Sequence, residues 1–142
     1  MSSTFDIGGL VYGDVSELAI RTPDGRQTDW RVKICGPGHK NHAEIQRRLE
    51  MFRDARARQE AMAKKRNDVF VPDRQEETDL WRELFALRVI DWSPVRFEGV
   101  DFPCTEANRR ALFAEPRFAF IAEQINAFAS DLANFTKKTA AN

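Results

Sequence analysis

The sequence predicts an α+β fold, with a small N-terminal antiparallel hairpin or sheet followed by a mainly helical body that carries a short second hairpin. Three observations predict it. Two short stretches of alternating apolar residues flank Thr22-Pro23-Asp24-Gly25, the chemistry of strand, turn and strand. Beyond residue 41 the apolar residues recur at steps of three and four, the period of a helix face. Between two such stretches Glu98-Gly99 lies inside a short segment bounded by Phe97 and Phe102, which reads as a tight hairpin.

Taken in order, residues 1–14 carry little pattern. A first strand spans 17–21, with Leu18 and Ile20 on one face, and a second spans 30–35, with Trp30, Val32 and Ile34 opposite Arg31 and Lys33. Pro23 pre-sets one turn dihedral and Gly25 takes the positive-φ position that reverses the chain. Gly36-Pro37-Gly38 then ends the sheet. Asn41 with Glu44 reads as a capping box for a charged helix to about residue 66. Its apolar face is good at Ile45, Leu49 and Phe52 and thin afterwards. Asp73 and Glu76 restart a helix whose dense face is Leu80, Trp81, Leu84, Phe85 and Leu87, ending near Val89. Asp91-Trp92-Ser93-Pro94 stops it, and a hairpin follows over 95–102. Thr105 caps a short helix through Leu112 and Phe113, and Glu115-Pro116 opens the last one. There Phe118, Ile121, Ile125, Phe128, Leu132 and Phe135 step by three and four, the seam of a helix that needs a partner surface. Most of that stripe reads as the helix's own core face. Phe120 and the small residues Ala119, Ala122, Ala127 and Ala129 extend apolar surface beyond it, and leftover apolar surface marks a protein partner.

The chain has 142 residues, the size of one domain with a real core. We read 1–142 as a single domain, β-rich over 15–38, a charged helix over 41–66 and helical over 73–136. Its 22 basic and 22 acidic residues cancel, which argues against a dedicated nucleic-acid binder. The charge is nonetheless uneven: residues 40–66 hold nine basic and four acidic side chains, and 67–91 hold seven acidic and three basic. Two cysteines are too few for a disulfide framework, the N-terminus lacks a signal pattern, and no apolar run approaches the roughly 20 residues of a membrane span. A reducing, soluble compartment is the expectation.

Chemistry finds little footing. Cys35, His39 and His42 place three ligand types close together, but a zinc site needs four ligands or three with an open position, and this spacing matches no such module. Gly36 and Gly38 with Lys40 lack the rest of a phosphate loop, and no nucleophile elbow exists. We expect no catalytic residue, no metal and no cofactor.

The order of these features resembles the tail assembly chaperones of long-tailed bacteriophages (siphophage type) and related prophage or gene-transfer elements, over most of the chain. The resemblance rests on the strand at 17–21, the Thr22-Pro23-Asp24-Gly25 turn, and the strand running into Pro37. It continues in the Arg-rich helix over 44–66 and the Val89-Ile90-Asp91-Trp92 step. The Phe-containing segment 97–102 follows, then Thr105-Glu106-Ala107-Asn108 with Leu112. It closes on Glu115-Pro116, Ile121 or Ile125, and Asp131-Leu132-Ala133-Asn134-Phe135. Ala107 separates Glu106 from Asn108, where the family often has the pair adjacent.

The resemblance implies a non-enzymatic protein of the host cytoplasm, absent from the mature virion. It would bind the tape measure protein, keep it soluble and help recruit the tail tube protein during tail morphogenesis, as a homo-oligomer. The partner-binding residues we expect are Trp92, Phe120, Ile125, Phe128 and Leu132, with Arg53 and Arg56 at the rim. Two other classes stay open: a structural tail component such as a connector or terminator, and a small nucleic-acid-binding protein using the basic helix. Against the latter, Glu44, Glu50, Asp54 and Glu60 interleave with its arginines, which favours pairing within the helix over a phosphate track.

Overall fold

The fold is α+β. A computed structural model describes Thr4, Ile7 and residues 12–136, so the unpatterned stretches at the two ends lie largely outside the described residues. Strands β1 (Val15–Arg21) and β2 (Gln27–Cys35) form the expected hairpin, and Gly25 at the turn has φ +90°. The turn is tied by Thr22 and Arg26, whose backbone N–H groups donate to Arg26 O (2.8 Å) and to Thr22 Oγ1 (3.0 Å) respectively.

A third strand, β3 (Val89–Trp92), pairs antiparallel with β2, giving the order β1-β2-β3. This corrects the reading of residues 89–92 as a helix end and stop. Helix α2 (Arg74–Arg88) passes into the strand with no loop between them. The reason is local: Val89 and Ile90 are β-branched, and Pro94 pushes the residue before it into extended backbone. Ser93 prolongs the ladder, exchanging hydrogen bonds with the Arg31 backbone at 2.8 and 2.9 Å.

The long helix α1 (Lys40–Lys65) precedes α2. Its cap is His39, whose Nδ1 accepts from Asn41 N–H at 3.0 Å, and not Asn41 as the sequence suggests. Asn41 instead donates through Nδ2 to Leu87 O (3.0 Å), satisfying one of the free carbonyls at the end of α2. Asp73 caps α2 as expected, and Thr105 caps α3 (Glu106–Ala114). Strands β4 (Arg96–Phe97) and β5 (Val100–Asp101) form the second hairpin. Its two turn residues, Glu98 and Gly99, both have positive φ (52° and 81°), the turn whose twist matches paired strands.

The last helix is shorter than its apolar period implies. Pro116–Phe118 is a 3-10 turn, α4 spans Ala119–Ser130, and Leu132–Phe135 is a second 3-10 turn. Short polar side chains divert the backbone at the break. Asp131 Oδ1 accepts from Ala133 N–H (3.1 Å), and Asn134 Nδ2 donates to Phe128 O (2.9 Å). The expected seam is therefore broken: Ile121 and Ile125 are buried, Leu132 is 45% exposed, and Phe135 reaches the core by a separate route.

The main core joins one face of the sheet (Ile20, Val32, Ile34, Val89, Trp92) to Leu112, Ile121, Ile125 and Phe135. A smaller cluster of Cys35, Ile45 and Leu84 seats α1. Trp92 is the hinge of the aromatic packing. Its Nε1–H donates to Phe102 O (2.8 Å), its ring stacks on Phe102 at 5.5 Å, and Trp30 meets it edge-on at 5.9 Å. Gly36 must lack a side chain, since a Cβ there would lie 2.5 Å from both Gly13 O and the Phe135 ring.

Candidate interaction surface

The seven residues expected at a partner surface fall in different settings. Ile125 (0% exposed) and Trp92 (7%) are core residues, Trp92 also lining an open cleft with Pro94, Val95 and Phe102. Phe120 and Phe128 are half-buried against the main core, Phe128 edge-on to Phe135 at 5.6 Å and Phe120 edge-on to Phe118 at 6.5 Å. Leu132 is exposed. Arg56 is engaged within the fold: it donates to Glu77 Oε2 (3.3 Å) and Asp73 O (2.9 Å) and lies over the Phe52 ring at 4.5 Å. Arg53 is exposed and makes no ion pair among the described residues. The fold does not gather these seven into one patch.

What it does gather is a trough between α2 and α4. On α2, Thr78, Trp81, Arg82 and Phe85 follow one another at helical spacing, beside the stripe of Leu80, Leu84 and Leu87 that enters the smaller cluster. On α4, Ala119, Ala122, Glu123 and Asn126 do the same. Phe113 to Phe118 close one end, and the open volume is about 440 Å³. A narrower continuation of about 80 Å³ runs past Leu49, Ile125 and Ala129 to Ser130. The aromatic wall is pre-organised, with Trp81, Phe85 and Phe113 ring centroids 6.1 and 5.4 Å apart in sequence. Offset pairs of this kind add roughly 0.5–1.5 kcal/mol each beyond burial. Opposite them the small side chains of Ala119 and Ala122 leave the space unfilled. Trp81 stays 39% exposed.

The signal for this trough is present in the sequence but reads as something else. Trp81 and Phe85 look like part of one dense core face, yet that face divides: Leu84 turns to the α1 cluster while Trp81 and Phe85 turn to α4. The alanines at 119, 122 and 129 were the better pointer, since they line the trough or its continuation.

The titratable groups have structural duties. Arg88 Nη1 lies 3.6 Å from Cys35 Sγ and 3.2 Å from His42 Nδ1. Burial pushes the Cys35 thiol up, against the pull of Arg88, while burial and then Arg88 push the His42 imidazole down. His42 is thus neutral near pH 7 and can accept from the guanidinium. His39 uses its Nδ1 for the cap. Among the described residues no group of three or more His, Cys, Asp or Glu is placed to hold a metal ion, and no helix is long and apolar enough to cross a membrane.

On α1, Arg47, Arg48 and Arg56 pair with carboxylates, while Arg53 and Arg58 make no ion pair among the described residues. Arg47 and Arg48 both reach Glu44 (2.7 and 2.8 Å), Arg48 also approaches Glu83 (3.7 Å), and Arg110 binds Glu83 and Glu106. This chain of charges links α1, α2 and α3.

The chain matches no protein-family model, no curated protein and no solved structure. The trough and the ordered motifs are therefore the basis for a functional reading.

Proposed function

We propose that this chain is a tail assembly chaperone of the long-tailed-phage type. In this reading it acts without catalysis in the host cytoplasm. It binds the apolar tape measure protein, keeps it soluble, helps recruit tail tube subunits, and leaves before the virion is complete. The observation that carries the reading is the α2–α4 trough, an apolar surface with an aromatic wall that no described element of the fold covers. Apolar surface left open on a small protein supports a protein partner. The ordered motifs from the Thr22-Pro23-Asp24-Gly25 turn to Asn134-Phe135 supply the kind of partner. Several copies lined along one long client would gain avidity from individually weak contacts, which supports the homo-oligomeric expectation.

The ion pairs weigh against the nucleic-acid alternative. Arg47, Arg48 and Arg56 already face carboxylates, so the basic helix presents no uninterrupted row of free cations to phosphates. A connector or terminator would differ in persisting in the finished particle.

Co-expression with the tape measure protein encoded in the same genome, followed by size-exclusion chromatography with light scattering, tests the reading. The expected result is a soluble tape measure eluting with many copies of this chain. An insoluble tape measure beside a lone monomer of this chain would overturn it.

A further inference from the structure

We propose that the α2–α4 trough is the seat of one amphipathic helix from another protein, with an apolar stripe bordered by an acidic flank and a basic flank. The client role rests on the chaperone reading; the shape and charge of the occupant do not.

The occupant is helical because of what the trough lacks. Both walls are helices, whose mid-length N–H and C=O groups are bonded within the helix. No sheet edge lines the space. An extended peptide would bury its backbone groups there without partners, whereas a helix satisfies its own and needs only grooves for side chains. The length suits this, since α4 with 12 residues runs about 18 Å, the contact length of a few helical turns.

No described helix of a second copy suits the trough. Among the described residues the large apolar side chains exposed on α-helices are Met51, Met62 and Trp81, and Trp81 is itself a wall of the trough. Met51 and Met62 sit about three turns apart on α1, with Asp54 and Arg58 between them on that face. No described helix carries the continuous stripe that the trough would take.

Charge fixes the flanks. Arg82 on the α2 wall has only a 3.9 Å approach to Asp79. Glu123 on the α4 wall is exposed and makes no ion pair among the described residues. The other carboxylate on the rim, Glu115, is held by Arg117 at 3.0 Å. A loosely paired cation, Arg82, and an unpaired carboxylate, Glu123, thus face the space from opposite sides.

The test uses an 18-residue synthetic helix, free of tryptophan, with leucines at alternating steps of three and four, glutamate on one flank and lysine on the other. Controls are a scrambled peptide and a striped peptide with glutamate on both flanks. Binding is read from Trp81 fluorescence, with Trp81→Phe as the blank. Wild type should bind the mixed-flank peptide, and Ala122→Phe should weaken it at least about tenfold with an unchanged circular dichroism spectrum. Glu123→Lys, an exposed change that leaves packing alone, should shift preference to the doubly acidic peptide even if Ala122→Phe misfolds. The proposal is overturned if the striped peptides bind no better than the scrambled one, or if Glu123→Lys leaves their ranking unchanged. The same variants in the tape measure co-expression separate the two readings. A tape measure solubilised equally by wild type and Glu123→Lys, together with no peptide binding, sinks the trough and leaves the chaperone standing. Peptide binding with the predicted ranking, beside an insoluble tape measure, keeps the trough and removes the chaperone.

Discussion

Gln124 ties the end of β1 to α4 with one side chain. Its Oε1 accepts from Arg21 N–H at 2.8 Å, and its Nε2 donates to Arg21 O at 2.9 Å. The amide thus satisfies both backbone groups of the last residue on an edge strand. Gln124→Ala should cost about 1 kcal/mol in urea unfolding. Gln124→Glu, which sets an acceptor against the Arg21 carbonyl oxygen in place of the donor, should cost at least as much. Glu44 shows the other use of a single polar group. Hydrogen bonds from Arg47 and then Arg48 hold its carboxyl at about 2, below the ordinary 4.5. Because the folded-state value is the lower one, the stabilisation is present in full above pH 4.5 and is lost as pH falls towards about 2. Subtracting the stability of Glu44→Gln from that of wild type across this window should give a difference that disappears at the acid end. The difference should also shrink with added salt, since the pair is surface-exposed. The two differ in what the sequence shows. The Glu44 pairs lie three and four residues apart on one helix and follow from the interleaved charges, whereas Gln124 reads only as one more polar residue on an apolar helix, because its bonds join residues 103 apart in sequence.

Among the elements, α4 and the turn after it separate period from structure. The apolar steps of three and four continue through Leu132 to Phe135, but the helix stops at Ser130. Periodicity reports which residues want burial. It does not report that Asp131 and Asn134 offer the backbone a competing set of bonds. The consequence is measurable. Ile125→Ala should destabilise the protein by about 2–5 kcal/mol, the range for truncating a buried residue of this size. Leu132→Ala, two seam positions further by the sequence pattern, should stay within about 0.5 kcal/mol in the same thermal or urea unfolding. A seam that remained helical to Phe135 would make the two comparable. The strand at Val89–Trp92 escaped for a related reason: four residues are too few to show alternation, and they follow a helix without a break. By contrast the β1–β2 hairpin, the Asp73 and Thr105 caps and the Glu98-Gly99 turn were all readable, because each is set by chemistry within a few residues.

At the scale of the molecule, two apolar clusters of unequal size share the sheet and α2. The larger joins the sheet to α3, α4 and the second hairpin; the smaller seats α1 through Ile45 against Leu84 and Cys35. Beyond Phe52 and Arg56 the rest of α1 has little apolar contact, and Met62 is exposed. Local stability should follow this division. In hydrogen exchange, amides over the last two turns of α1 should exchange faster than those near Ile45. Ile45→Ala should accelerate exchange throughout α1 while β2 and α4 keep most of their protection. Equal acceleration everywhere would instead mean that the two clusters unfold as one.

The sequence by itself determined the fold class, the two hairpins, the starts of α2 and α3 and the charged, half-stripped character of α1. Those features follow from turn chemistry, capping and hydrophobic period, which act over a few residues. Only the tertiary structure decided which apolar residues are buried and which are left over. It buried Ile125 and Trp92, exposed Leu132, engaged Arg56 with Glu77, and turned Trp81 towards Ala119 and Ala122 across an open trough. The physical reason is that exposure is a property of pairs of surfaces. A helix face becomes core or interface according to whether another element reaches it, and α2 and α4 are held apart by the sheet and turns that position them.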